Sequence, residues 1–207
     1  MELTQAHRDA LHDILHWRRD VRHFLTDPIP NDVLDKLRQA MDMAPSVGNA
    51  RPWRVLQVKT PALRAAVIAN FETANSKASA QYSDAKRARY DMLKLAGLRE
   101  APVHLAVFTE CNPTAGHGLG RQTMPEMLAY STVAAIHTLW LAARAENLGL
   151  GWVSILDPAG VSQVLNVPDH WELTGYLCLG KAVSNDDTPL LHHSDWQANT
   201  ETVWQDV

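Results

Sequence analysis

Apolar positions recur at helical spacing from the start of the chain. Leu3, Leu11, Ile14 and Leu15 share one side of a helix predicted over residues 3–17. A basic knot, Arg18-Arg19-Asp20-Val21-Arg22, interrupts the pattern, and Pro28 and Pro30 bracket a turn. Asn31 is a suitable N-cap for a second helix with the apolar face Val33, Leu34, Leu37, Met41. That helix is expected to stop at Ala44-Pro45, because the residue before a proline is pushed out of helical geometry. The loop Pro45–Trp53 is rich in turn formers and leads into a strand over Val55–Val58. Helical spacing resumes after Pro61 and runs to about Ala74. Residues 76–99 are polar and basic, with sparse apolar anchors at Tyr82, Tyr90, Met92, Leu93 and Leu95, and read as a helical but mobile lid-like segment.

Pro102 starts a second strand, Val103–Thr109, followed by a loop with Gly116, Gly118 and Gly120. Pro125 opens a long apolar helix to about Glu146. Gly149 and Gly151 are expected to end that helix ahead of a short strand over residues 152–155. A small helix, Pro158–Leu165, and a buried strand over 172–180 complete the regular elements. The tail, 182–207, reads as irregular and acidic, with Trp196 and Trp204 as anchors. No internal repeat or linker divides the chain, so one α+β or mixed α/β domain over 1–207 is predicted.

Composition narrows the class. A chain of 207 residues can bury a sizeable core, and 46% apolar with 20% charged residues excludes a disordered, collagen-like or coiled-coil protein. The net charge of −4 gives no global attraction to nucleic acid or to an anionic membrane. After Arg144 the only Lys or Arg is Lys181, so an anionic ligand would be gripped mainly from the first two thirds of the chain. Cys111 and Cys178 make no disulfide framework, and the opening stretch lacks the apolar core of a secretory signal. Residues 127–143 are short for a membrane span and carry several polar groups. A cytoplasmic protein without a membrane partner is expected.

Several segments could carry chemistry. Clustered guanidiniums at 18–22 suit a phosphate, although spacing alone fits a solvated charged turn as well. The Pro45–Trp53 loop offers backbone N–H groups and short polar side chains able to rim a planar heterocycle. It reads equally as a surface loop tethered by Trp53. Gly149-Leu150-Gly151-Trp152-Val153-Ser154 permits close backbone approach to a ligand, or is a helix end before an edge strand. The Gly116–Gly120 loop matches neither a dinucleotide fingerprint nor a phosphate loop. His12 and His16 lie four apart, but no third ligand accompanies them, and no metal site is expected. No G-x-S-x-G is present.

Taken in order, these segments resemble the flavin-dependent nitroreductase superfamily. The resemblance rests on Arg18-Arg19, Ala44-Pro45-Ser46, Asn49, Pro52-Trp53 and Gly149 to Trp152, and spans roughly residues 8–181. It implies an α+β fold with a mixed central sheet wrapped by helices and the long helix at a homodimer interface. Arg-Arg-Asp-Val-Arg at 18–22 and Gly-Trp-Val-Ser-Ile at 151–155 are similar to the branch that consumes reduced FMN instead of recycling it. That likeness implies oxygen-dependent fragmentation to 5,6-dimethylbenzimidazole and erythrose 4-phosphate, with a separate NAD(P)H-dependent flavin reductase as supplier. An ordinary NAD(P)H-dependent FMN nitroreductase or flavin reductase is the alternative.

By the same resemblance, Arg18, Arg19 and Arg22 hold the FMN phosphate and the polar edge of the ring, with Lys181 the available cation near the C-terminal end. Pro45, Ser46 and Asn49 approach the ribityl chain and ring, and the backbone of Gly151 and Trp152 passes close by. Asp20 and Ser154 are the implied catalytic residues, and Arg87, Tyr90 and Lys94 belong to the lid.

Overall fold

Two apolar stretches, Val103–Phe108 and Tyr176–Leu179, are buried on every residue but one, which requires strands covered on both faces. In the computed structural model they are neighbours at the centre of a four-stranded sheet. The structure describes residues 1–93 and 97–207. The strands are β1 (Trp53–Gln57), β2 (Val103–Glu110), β3 (Gly149–Val153) and β4 (Trp171–Gly180), in the order β1-β2-β4-β3. All three pairings are antiparallel, so the sheet is antiparallel where a mixed one was expected, and an isolated parallel bridge between Asp20 and Leu150 lies outside its strand ladders.

Side chains alternate between the faces, so each central strand feeds two cores. Val103, Val107, Leu177 and Leu179 join Leu150 on one face. They meet Leu37 and Met41 of α2 (Asn31–Met41) and Ala135, Ile136, Leu139 and Ala143 of α6 (Met127–Ala145). Ala106, Phe108, Tyr176 and Cys178 point to the other face, with Phe24, Leu98 and Val67 of α3 (Pro61–Ser79). Val164 and Leu165 of α7 (Pro158–Leu165) pack on that second core. The α+β class thus follows from two buried strands with helices on both sides.

Several boundaries differ from expectation. α2 stops at Met41, three residues early, and Pro30, not Asn31, flanks its start. α3 continues to Ser79, and the 76–99 stretch then holds α4 (Asp84–Met92) and α5 (Gly97–Glu100). Lys94 and Leu95 lie outside the described residues. β3 begins at Gly149, three residues before the expected strand. Asn147, at φ +57°, makes the left-handed turn after α6 that the glycines were expected to make. The glycines are therefore free to lie inside the strand.

α1 (Gln5–Trp17) forms as expected but buries no residue, and Leu11 and Leu15 remain 52% and 47% exposed. In the tail, Trp196 packs on Tyr82, just ahead of α4, and on Tyr90 of α4, with ring centroids 5.6 and 6.3 Å apart, and follows the short α8 (Leu190–His193). Trp204 is 92% exposed and is not the anchor expected of it. Among the described residues no helix is long and apolar enough to cross a membrane, and no group of three or more His, Cys, Asp or Glu could hold a metal.

His104 sits in the second core at 1% exposure, with its Nδ1 3.0 Å from the Tyr176 hydroxyl. Burial, reinforced by the Arg64 charge, pushes its pKa down to about 4. The unfolded chain protonates this histidine below about 6.5 and the folded chain only below about 4, so folding stability falls as pH drops through that window. The full loss is about 3 kcal/mol, at ~1.4 kcal/mol per pH unit. His104→Asn, which keeps a polar partner for Tyr176 but cannot titrate, is expected to flatten this part of the stability profile. Urea unfolding between pH 7 and pH 4 measures the difference, and parallel profiles for the two proteins would refute it.

Candidate functional site

The basic knot is placed by close backbone contact at one end of the sheet. Leaving α1 at Arg18, the chain runs past the start of β3, and the Val21 N–H donates to the Leu150 carbonyl at 3.0 Å. It then lies against the end of β4. Phe24 bridges Ala182, the Leu25 N–H donates to the Lys181 carbonyl at 2.8 Å, and the Val183 N–H donates to the His23 carbonyl at 3.1 Å. Glu100 of α5 accepts the Phe24 N–H at 3.0 Å. A β-carbon on Gly149 would lie 2.6 Å from Val21 Cγ2, and one on Gly151 only 2.2 Å from the Val21 carbonyl oxygen. The two glycines are thus first a seat for the chain's own segment.

This seat fixes Asp20. Its Oδ1 accepts the backbone N–H of Trp152 at 2.9 Å, and Arg22 Nε lies 3.4 Å from Oδ2. The side chain is crowded by protein yet 37% exposed. Burial raises the carboxyl above the ordinary aspartate range, opposed by the Trp152 N–H and by the Arg22 and Arg18 charges. Arg22 reaches on to the Leu93 carbonyl at 3.3 Å, at the end of α4.

Arg18 lies over the Trp140 ring of α6, 4.9 Å from its centroid, and Trp140 Nε1 donates to the Arg19 carbonyl at 3.1 Å. Arg19 turns toward the tail instead. Its guanidinium donates to the Arg18 and Asp187 carbonyls, while its Nε is buried without a hydrogen-bond partner among the described residues. The five-residue knot is therefore divided: Arg18 and Arg22 bear on Asp20, and Arg19 faces the acidic tail.

The remaining residues singled out from the sequence fall into separate places. Ser154, just beyond β3, and Lys181, just beyond β4, are both exposed, and because the two strands are antiparallel they stand at opposite ends of the pair, Lys181 beside the start of β3 and Ser154 past its end. Arg87 donates to the Ser79 and Tyr82 carbonyls, both at 3.2 Å, and the Tyr90 hydroxyl donates to Asn75 Oδ1 at 2.8 Å, bracing α4 against α3. Pro45, Ser46 and Asn49 lie elsewhere. Their loop tightens into a 3-10 turn over Val47–Asn49, with positive φ at Gly48, Asn49 and Arg51. The Ser46 hydroxyl accepts the Arg51 N–H at 3.1 Å, and the Val47 N–H donates to Ser131 Oγ at 3.0 Å.

Ser131 and Trp140 are nine residues apart on α6. At 1.5 Å per residue, the Ser46 loop and the arginine knot meet that helix at points about 14 Å apart. One chain does not bring them together.

Sequence reasoning missed three supporting groups: Trp140, Glu100 and the Gly116–Gly120 loop. The last packs under the Ser46 turn, where a β-carbon on Gly48 would lie 3.0 Å from the Gly116 carbonyl oxygen. Its glycines were visible, but only the tertiary contact gives them a purpose. Trp140 and Glu100 carried no local signal.

The model of the Nitroreductase family matches residues 15–181. A 5,6-dimethylbenzimidazole synthase of Rhodobacter capsulatus is 58% identical over 205 residues, covering 99% of each chain. One from Rhodospirillum rubrum is 48% identical over 191 residues, covering 92% of this chain and 90% of its own. Among solved structures, oxidized iodotyrosine deiodinase bound to FMN and 3-iodo-L-tyrosine shares the fold, with a TM-score of 0.76 at 23% identity. That match covers 95% of this chain and 99% of the other.

The seat can be tested directly. Gly151→Ala drives a methyl into backbone, whereas Gly149→Ala meets only the Val21 side chain. Gly151→Ala is expected to cost about 2–4 kcal/mol of stability and Gly149→Ala distinctly less. Equal losses in denaturant unfolding would show that the Val21 crossing does not depend on Gly151.

Proposed function

The chain belongs to the nitroreductase family, and on that premise we propose that it is a 5,6-dimethylbenzimidazole synthase. This oxidoreductase consumes reduced FMN and oxygen and releases the lower ligand of cobalamin together with erythrose 4-phosphate. The near-full-length identity to synthases of that name supports the reading. The observation that carries it is Asp20: a carboxylate held by the Trp152 amide between two arginines, yet raised in pKa by its surroundings. A group so placed exchanges a proton nearer neutrality than a free aspartate does, which is what a proton relay at the ribityl C1′ requires.

The residues present suit FMN. Its phosphate is dianionic, and Arg18, Arg22 and Lys181 lie on or beside the segment that crosses the start of β3 and the end of β4, with Arg19 turned toward the tail. The buried Arg19 Nε has a donor to give. When bound, reduced FMN supplies the electrons that oxygen accepts and the carbon skeleton of the product. The arginines and Lys181 bind its phosphate and polar edge. Gly151 and Trp152 present backbone to the ring, and the Ser154 hydroxyl donates a hydrogen bond to it. α4, with Arg87 and Tyr90, acts as a lid that excludes water.

The Pro45-Ser46-Asn49 loop, about 14 Å away along α6, serves a second chain. In a homodimer each site takes its arginine knot from one subunit and this loop from the other. The uncovered Leu11, Leu15 and Trp17 of α1, with Tyr130 and Val133 of α6, supply the apolar surface for that pairing. A separate NAD(P)H-dependent flavin reductase supplies the reduced flavin.

The deciding experiment is aerobic incubation with FMN and a flavin-reducing system, followed by mass analysis for 5,6-dimethylbenzimidazole. Product that depends on protein, oxygen and reduced flavin is expected. Intact FMN alongside rapid NAD(P)H oxidation by the protein itself would instead make it a general nitroreductase. Asp20→Asn and Ser154→Ala are expected to bind FMN and yield little product, and wild-type yields would remove both from the mechanism.

Sharing between subunits is tested by mixing Arg18→Ala with Asn49→Ala, each defective alone. Random subunit exchange should restore about a quarter of the intact sites. No recovery despite exchange would place both residues in one subunit's site.

A further inference from the structure

Trp140 of α6 touches the arginine knot twice and the ring of Trp152 once. Its indole N–H holds the Arg19 carbonyl at 3.1 Å. Its face carries the Arg18 guanidinium at 4.9 Å. Its ring packs 6.3 Å from that of Trp152, whose backbone N–H in turn binds Asp20 Oδ1 at 2.9 Å. The Arg19 carbonyl belongs to the peptide that enters Asp20. On the other side, the Val21 N–H is bound to Leu150 at 3.0 Å. The backbone of Asp20 is therefore gripped before and after the residue by different elements, and its carboxylate by a third contact.

We propose that Trp140 is a positioning residue for Asp20, fixing the preceding peptide through its indole N–H and the Arg18 charge through its ring face. The inference rests on the reading of Asp20 given above. Packing alone does not account for the arrangement. A phenylalanine or leucine would fill a half-buried place on α6, but neither could reach the Arg19 carbonyl. The N–H bond sets where the Asp20 backbone stands relative to Leu150. The ring face sets how close a positive charge stands to the carboxylate. The charged or titratable groups bearing on that carboxylate are Arg18 and Arg22 from its own segment and the Cys178 thiol from β4, together with the Trp152 amide from β3.

The test uses the full-length protein with Trp140→Phe, which keeps a ring and loses the N–H, and Trp140→Leu, which loses both. Trp140→Phe is expected to melt cooperatively and to keep the KM for reduced FMN within about twofold, while kcat for 5,6-dimethylbenzimidazole falls about tenfold. Trp140→Leu should fall further, with the acid limb of its kcat profile moved to higher pH as Arg18 is released from Asp20. Carboxyl carbon NMR of Asp20 gives a readout independent of turnover: its titration should move upward in Trp140→Leu.

Wild-type kcat in Trp140→Phe would overturn the proposal. So would a loss of activity that follows FMN affinity alone, or an unmoved Asp20 titration in Trp140→Leu. If Trp140→Phe fails to fold, benzothienylalanine at position 140 removes only the N–H, and it must reproduce the kcat loss. If wild-type protein forms no 5,6-dimethylbenzimidazole, the functional reading fails, and the Asp20 titration still decides whether Trp140 holds this group.

Discussion

Everything at the site depends on how closely one extended segment lies against the ends of β3 and β4. The Val21 carbonyl stands where a side chain on Gly151 would have to be, and the Val21 side chain stands where one on Gly149 would be. This contact brings Asp20 within reach of the Trp152 amide. It also drops Phe24 into the second core and lays Leu25 beside Lys181. A shift of the segment by one residue would turn Asp20 away from Trp152 and lift Phe24 out of the core together. Packing and chemistry are thus coupled through a single line of backbone contacts.

The electrostatic contrast across that line is equally physical. In front are the guanidiniums and a carboxylate still open to water. Behind it, the second core holds His104, Tyr176 and Cys178, all kept neutral at physiological pH. Burial drives the histidine down and pushes the Cys178 thiol up to about 12. A low-dielectric wall behind Asp20 strengthens every charge interaction made in front of it.

Much of this was legible in the sequence, for identifiable reasons. Long apolar runs marked β2 and β4, proline marked the starts of α3 and α7, and the arginine knot and the Pro-Ser-x-x-Asn loop stood out by composition. The extent of β3 was misread because glycine after a helix usually means a cap, whereas here Asn147 takes that turn. The division of the knot, with Arg19 facing the tail, has no local signal, since it is set by contacts with Asp187 and Trp140 over 120 residues away. The separation of the Ser46 loop from the knot was equally invisible, because sequence order says nothing about which end of α6 each would meet.

That separation has a biological side. On the reading proposed here, the protein's substrate is a cofactor that many other enzymes in the cell need intact. If each site is shared between subunits as proposed, a newly made chain carries two half-sites about 14 Å apart along one helix and no whole one. Destruction of flavin then begins only after two chains have met, so the amount of pre-formed partner sets a threshold below which the cell's flavin pool is left alone.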